Sequence, residues 1–89
     1  MKAIVTVNGV DRVGIIAAVS GKLAEMNINI NDIRQTTMQD QFDMIMMVDT
    51  ELCTLPFNKI QQSLIALGRE IKMNINIRSK DIFDAMHTI

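Results

Sequence analysis

The sequence has no tryptophan and no tyrosine, one cysteine, one proline and one histidine, and its charges nearly cancel, with 9 Lys and Arg against 10 Asp and Glu. Each shortage excludes something. A lone thiol, Cys53, cannot close an intrachain disulfide, and with His87 as the single histidine there is no Cys/His cluster at zinc-ligand spacing. No metal or other cofactor is therefore expected. A net charge of −1 leaves no basic footprint for a phosphate backbone, so direct nucleic-acid binding is not expected either. No run approaches the roughly 18–20 apolar residues of a membrane span, and the apolar stretch at 3–7 falls short of the about 7–15 residues of a secretory core. A cytoplasmic protein is expected.

What is present is a high apolar content, 48% of only 89 residues, carried by 8 Met against 3 Phe. A domain of this length buries only about 60–65% of the surface that its unfolded chain exposes, and its stability margin is thin. Without disulfide or metal, oligomerisation is the remaining support. Flexible methionines, in place of rigid aromatic rings, fill the core.

Periodicity divides the chain into short elements. Residues 2–7 are β-branched and end at Asn8 and Gly9, a strand meeting a turn. Ile15, Ile16, Val19, Leu23 and Met26 recur at threes and fours, one face of a helix, with Asp11 upstream as its opening residue. Residues 27–39 alternate at first through Ile28 and Ile30, but Ile33 breaks the period of two, which predicts a bulge near Asn31 and Asp32. After a tight turn at Asp40 and Gln41, residues 42–48 place Phe42, Met44, Met46 and Val48 on one face. Ile45 and Met47 stand on the other. Pro56 fits the first turn of a second helix with Thr54 as its cap, and Phe57, Ile60, Leu64 and Leu67 carry the apolar stripe until Gly68, where the pattern ends. Residues 71–78 alternate strictly, Ile71, Met73, Ile75 and Ile77 against Lys72, Asn74, Asn76 and Arg78. Ser79 caps a last short helix with Ile82, Phe83, Met86 and Ile89 in one stripe.

The order β-α-β-β-α-β predicts an α+β, ferredoxin-like sandwich: a four-stranded antiparallel sheet with two helices on one face, plus a short C-terminal helix. The string Met-Asn-Ile-Asn-Ile occurs at residues 26–30 and again at 73–77, in agreement with two βαβ halves or with two strands using the same alphabet. Two helices cover only one face of such a sheet. The C-terminal helix, a partner subunit, or both must cover the apolar centre of the other.

The loop Gly9-Val10-Asp11-Arg12-Val13-Gly14-Ile15 has the glycine spacing of a phosphate-binding loop, but Ile15 and Ile16 stand where Lys and Ser or Thr must follow. Two readings stay open: the glycines serve the turn alone, or the helix N-terminus, with Gly14 admitting a ligand to the backbone, receives an anion such as a carboxylate. Arg12 alone suggests acylphosphatase chemistry, but the glycine-rich frame of those enzymes is missing. The Met-x-Cys-x-x-Cys loop of copper carriers is absent. Phe42 alone does not make the stacking platform of RNA-recognition modules. Cys53 has no neighbouring histidine, so no catalytic set is expected.

Asp11-Arg12-Val13-Gly14-Ile15, then Val19, Leu23-Ala24-Glu25 and Asn27-Ile28-Asn29-Ile30, resemble the N-terminal half of an ACT domain. The resemblance extends over essentially the whole chain, taken as one ACT domain of residues 1–89. It is nearest to stand-alone single-ACT proteins and to the ACT domains of the glycine cleavage system transcriptional repressor. It implies a non-catalytic regulatory module, a homodimer that binds an amino acid or related metabolite between the loop before the first helix of one subunit and the start of the second strand. On that basis the ligand-binding residues are Asp11, Arg12, Gly14, Ile15, Asn29 and Ile30. Several members carry Asn where this chain has Asp11, a carboxylate suited to an ammonium group, and Asn29 offers both a donor and an acceptor. The alternative class is a protein-interaction adaptor without a ligand, docking through the apolar stripe of the C-terminal helix.

Overall fold

Seven elements follow one another in a computed structural model that describes residues 1–86: β1 (Lys2–Val10), α1 (Ile15–Glu25), β2 (Asn29–Met38), β3 (Gln41–Asp49), α2 (Phe57–Ile71), β4 (Asn74–Ser79) and α3 (Lys80–Met86). His87 and Ile89 lie outside the described residues. All strand pairs are antiparallel, in the order β2-β3-β1-β4. This is the expected ferredoxin-like arrangement.

The alternation read from the sequence sorts the sheet into two faces. Ala3, Val5 and Val7 of β1, Phe42, Met44, Met46 and Val48 of β3, and Ile75 and Ile77 of β4 are all buried. They form one cluster with Ile15, Val19 and Leu23 of α1 and Ile60, Leu64 and Leu67 of α2. Each of the larger of these side chains, fully buried, contributes about 1.5–3 kcal/mol relative to exposure. Met44 and Met46 sit at the centre of this layer, filling space among branched neighbours. The opposite face carries Ile4, Ile45 and Met47, and Ile45 remains 45% exposed. α3 packs against β1 and β4, its Ile82 borders an open hollow together with Met1, Phe57 and Gln61, and Ile45 of β3 is left partly uncovered.

The bulge falls where the broken period placed it. Ile30 pairs with Val48 and Asp32 with Met47, which leaves Asn31 as the extra residue. From there on, Ile33, Gln35 and Thr37 share the helix side of the sheet, opposite Met46, Met44 and Phe42. The strand is an edge of the sheet, and residues 31–38 are exposed throughout.

Several boundaries differ from the sequence reading. β1 continues through Val10, because Gly9 and Val10 still pair with Phe42 and Gln41. α1 opens at Gly14, with φ 93°, and no side chain caps it; Asp11 instead has its N–H tied to the Asp40 carbonyl (2.7 Å). Pro56, not Thr54, takes the capping position of α2, again without a side-chain bond. α2 runs past Gly68 to Ile71 and is ended by Lys72 in the left-handed region (φ 60°), so Ile71 belongs to the helix and not to β4. Ser79 accepts a bond from the Ile82 N–H (3.3 Å), as expected of the α3 cap. Among the described residues no helix is long and apolar enough to cross a membrane.

At the far end of the sheet Asp49 gathers three donors: the Glu51 N–H (3.0 Å), Lys2 Nζ (3.2 Å) and the N-terminal ammonium (3.5 Å). The Glu51 N–H first, then Lys2, hold its carboxyl below the ordinary aspartate range. A depressed native pKa gives stability that is complete above the unfolded value and is lost as pH falls through the native one. Asp49→Asn therefore has a flatter acid limb than the parent below about pH 4, measured by denaturant titration across pH 2–6.

Candidate functional site

β1 delivers the chain to a loop at one end of the sheet, and the loop delivers it to the N-terminus of α1. Gly14 makes the turn possible: at φ 93° a side chain is strained, whereas no neighbour stands within 4 Å of where a Cβ would sit. The first bond inside the helix is donated by the Ala18 N–H to the Gly14 carbonyl (3.0 Å). The first turn of α1 contains no acidic residue of its own to meet its free N–H groups.

An open cleft of about 330 Å³ lies against this turn, lined by Asp11, Arg12, Gly14, Ile15, Ile16, Ala17, Gln35 and Phe42. The chemistry of the lining is mixed in a useful way. Helix N–H groups and Arg12 suit a carboxylate, Asp11 suits an ammonium, and Gln35 carries both a donor and an acceptor. Phe42, 2% exposed, supplies an apolar floor. Arg12 has no ion-pair partner among the described residues and also borders a second hollow beside Glu70 and Ile71.

Four of the six residues expected from the sequence, Asp11, Arg12, Gly14 and Ile15, therefore meet in one cleft. Asn29 and Ile30 do not join them within one chain. Asn29 pairs with Asp49 and Ile30 with Val48, whereas Val10, next to Asp11, pairs with Gln41 at the other end of β3. The eight steps from Gln41 to Asp49 span roughly 27 Å at ~3.4 Å each. Asn29 Nδ2 donates to Asn31 Oδ1 (3.0 Å) across the bulge, and Ile30 packs against the core.

Gln35 and Phe42 were not among the sequence candidates. Their signal is the bulge: one extra residue at Asn31 turns odd-numbered residues of β2 toward the helix side and brings Gln35 beside the α1 turn. Phe42 reads as core from alternation alone and is so, but it is also the floor of the cleft.

A family model described as ACT domain matches residues 3–69. A UPF0237 protein of Listeria innocua is 46% identical over 89 residues, the full length of both chains. An ACT domain protein from Streptococcus pneumoniae has a solved structure with a TM-score of 0.83 and 42% identity, over 93% of each chain. A candidate glycine cleavage system transcriptional repressor matches with a TM-score of 0.72 and 22% identity, over 86% of this chain and 44% of that one; at that identity the likeness is one of fold.

Proposed function

The chain belongs to the ACT domain family, and from that membership we propose that it is a non-catalytic regulatory module of one domain, residues 1–89. It acts in the cytoplasm as a homodimer that binds an amino acid or related metabolite between subunits. The observation that supports this reading most is the placement of the two half-sites at opposite ends of an exposed edge strand. A two-fold axis that pairs β2 with β2 antiparallel reverses one strand against the other. The start of one strand then lies beside the end of its partner.

In that arrangement Asn29 and Ile30 of each chain come to the end of the sheet that holds the other's cleft. The cleft's helix N–H groups and Arg12 hold a carboxylate and Asp11 the ammonium, and Asn29 and Ile30 from across the axis border the site. Exposed N–H and C=O groups along the edge are satisfied by the same pairing.

Screening the proteinogenic amino acids by thermal shift and calorimetry tests the reading. A ligand at about 100 times its dissociation constant adds roughly 2.7 kcal/mol, a rise of about 10 °C or more in a domain of this size. Asp11→Ala and Asn29→Ala should each abolish that rise while leaving the unliganded melting temperature within a few degrees. A screen without a single binder, or a binder indifferent to both substitutions, overturns the site.

One observation favours a second reading as a ligand-free adaptor: Ile82 and Met86 of α3 are 57% and 59% exposed. Capture of a partner from extract that needs Ile82 and is unchanged by every amino acid would support it.

A further inference from the structure

The β2 edge carries enough information to set the register in which two copies meet. Asp32 and Arg34 stand two residues apart on the sheet face away from the helices, together with Ile4, Ile45 and Met47. Neither has an ion-pair partner among the described residues. Between them Ile33 points to the helix side, 40% exposed, and the Asp32 carboxylate accepts a bond from the Ile33 N–H (2.9 Å).

Antiparallel partners about a two-fold axis must place same-face residues opposite one another, so the axis falls on a residue and not between two. Three positions are available at the centre of the strand. With the axis on Arg34, two guanidinium groups meet directly, which destabilises the pair. With the axis on Gln35, Arg34 faces Thr36 and Ile33 faces Thr37, leaving both charges without a partner and the isoleucine against a hydroxyl. With the axis on Ile33, the two isoleucines cover each other, and Arg34 of each chain faces Asp32 of the other, twice over.

The geometry points to the Ile33-centred register: a second copy of this chain docks on β2, joined by an Ile33–Ile33 contact and two Arg34–Asp32 ion pairs. It rests on the edge pairing proposed above and deepens it. Counting outward from Ile33, and leaving Asn31 out of the pairing, the second copy's Ile30 arrives opposite Gln35 on the helix side, and its Asn29 opposite Thr36 on the other face. Gln35 lines the cleft. The docking register thus sets which residues of the second copy border the binding site.

Cysteine scanning reads the axis directly, because only the residue on the axis lies within disulfide reach of its own copy. That reach is about 4.4–6.8 Å between Cα atoms, whereas a residue two places off the axis is roughly 14 Å from its copy at ~3.4 Å per residue. In a Cys53→Ser background, Ile33→Cys, Arg34→Cys and Gln35→Cys are oxidised with glutathione disulfide at micromolar protein and resolved on non-reducing gels. The expected result is near-complete dimer for Ile33→Cys and several-fold less for the other two. Preferential cross-linking of Arg34→Cys or Gln35→Cys overturns the register while keeping the edge pairing. A parent chain that is monomeric by light scattering, or dimeric with no cross-link at any of the three, overturns the edge pairing itself. Asp32→Arg and Arg34→Asp should each weaken dimerisation by more than about tenfold, and the double exchange should restore it. Failure of that restoration also counts against the ion pairs.

Discussion

Phe42→Ala should lower stability by about 3–5 kcal/mol, enough to leave a substantial unfolded population in a domain whose whole margin is about 5–15 kcal/mol. Phe42 is 2% exposed and opens β3 opposite Gly9 and Thr37. It closes the sheet end of the core where the α1 turn arrives, and it is the largest apolar side chain in the cleft. Truncation therefore does two things. It removes buried contacts that Ile15 cannot replace without moving the loop, and it deepens the cleft by the volume of the lost ring. Urea titration measures the first. The second is separable with Phe42→Leu, which should keep most of the stability, at a cost of less than about 1.5 kcal/mol, while still altering ligand preference in the amino-acid screen. A Phe42→Ala protein as stable as its parent would mean that the strand end contributes little to the core.

Gly68→Ala should be damaging although it adds a single carbon, with an expected loss of about 1–3 kcal/mol or more. Inside a helix this exchange ordinarily stabilises by up to about 1 kcal/mol, because alanine is the better helix former. Here the sign reverses. A Cβ at Gly68 would stand 2.6 Å from the Met73 carbonyl oxygen and 3.3 Å from Ile75 Cγ1, and the first of these is backbone that cannot rotate away. Gly68 is also held through its carbonyl oxygen, which accepts the Met73 N–H (2.8 Å) and the Lys72 N–H and so helps to end the helix. Gly21→Ala in α1 serves as the control: nothing lies within 4 Å of its Cβ position, so that change should be neutral or stabilising. Denaturant midpoints of the two variants, compared with the parent, must move in opposite directions for this account to stand.

Gly68 also shows where sequence reasoning stops. A glycine after an apolar helical stripe is the ordinary signature of a helix end, and nothing local distinguishes that from a glycine needed for close approach. The difference lies in Met73 and Ile75, which the topology brings back against the helix. By contrast β3 was legible almost residue by residue, because a strand with one buried face writes its alternation into the sequence; β4 carries the same signal, but its alternation runs back into the end of α2, so its start was read three residues early. The break in that alternation at Ile33 was legible too, and it located the bulge. From the loop before α1 alone, an anion-accepting helix N-terminus at Gly14 was one of two open readings. The six site residues were named through the resemblance, and the separation of Asn29 from Asp11 emerges only from the strand order and register. Gln35 escaped notice because its face depends on counting through an inserted residue.

That inserted residue has a further consequence. The bulge works as a washer in β2: it takes up Asn31, so that Ile30 before it and Ile33 and Gln35 after it all stand on the helix side, although their numbers differ in parity. Were the same residues paired without a bulge, Asn31 would take its turn in the pleat, Ile33 and Gln35 would pass to the open face of the sheet, and Asp32 and Arg34 would turn inward. The charged pair and the cleft residue would exchange places. Deleting Asn31, by contrast, leaves a regular strand with every face unchanged, so the recognition surface of β2 depends on where its extra residue is stored and not on the strand's length.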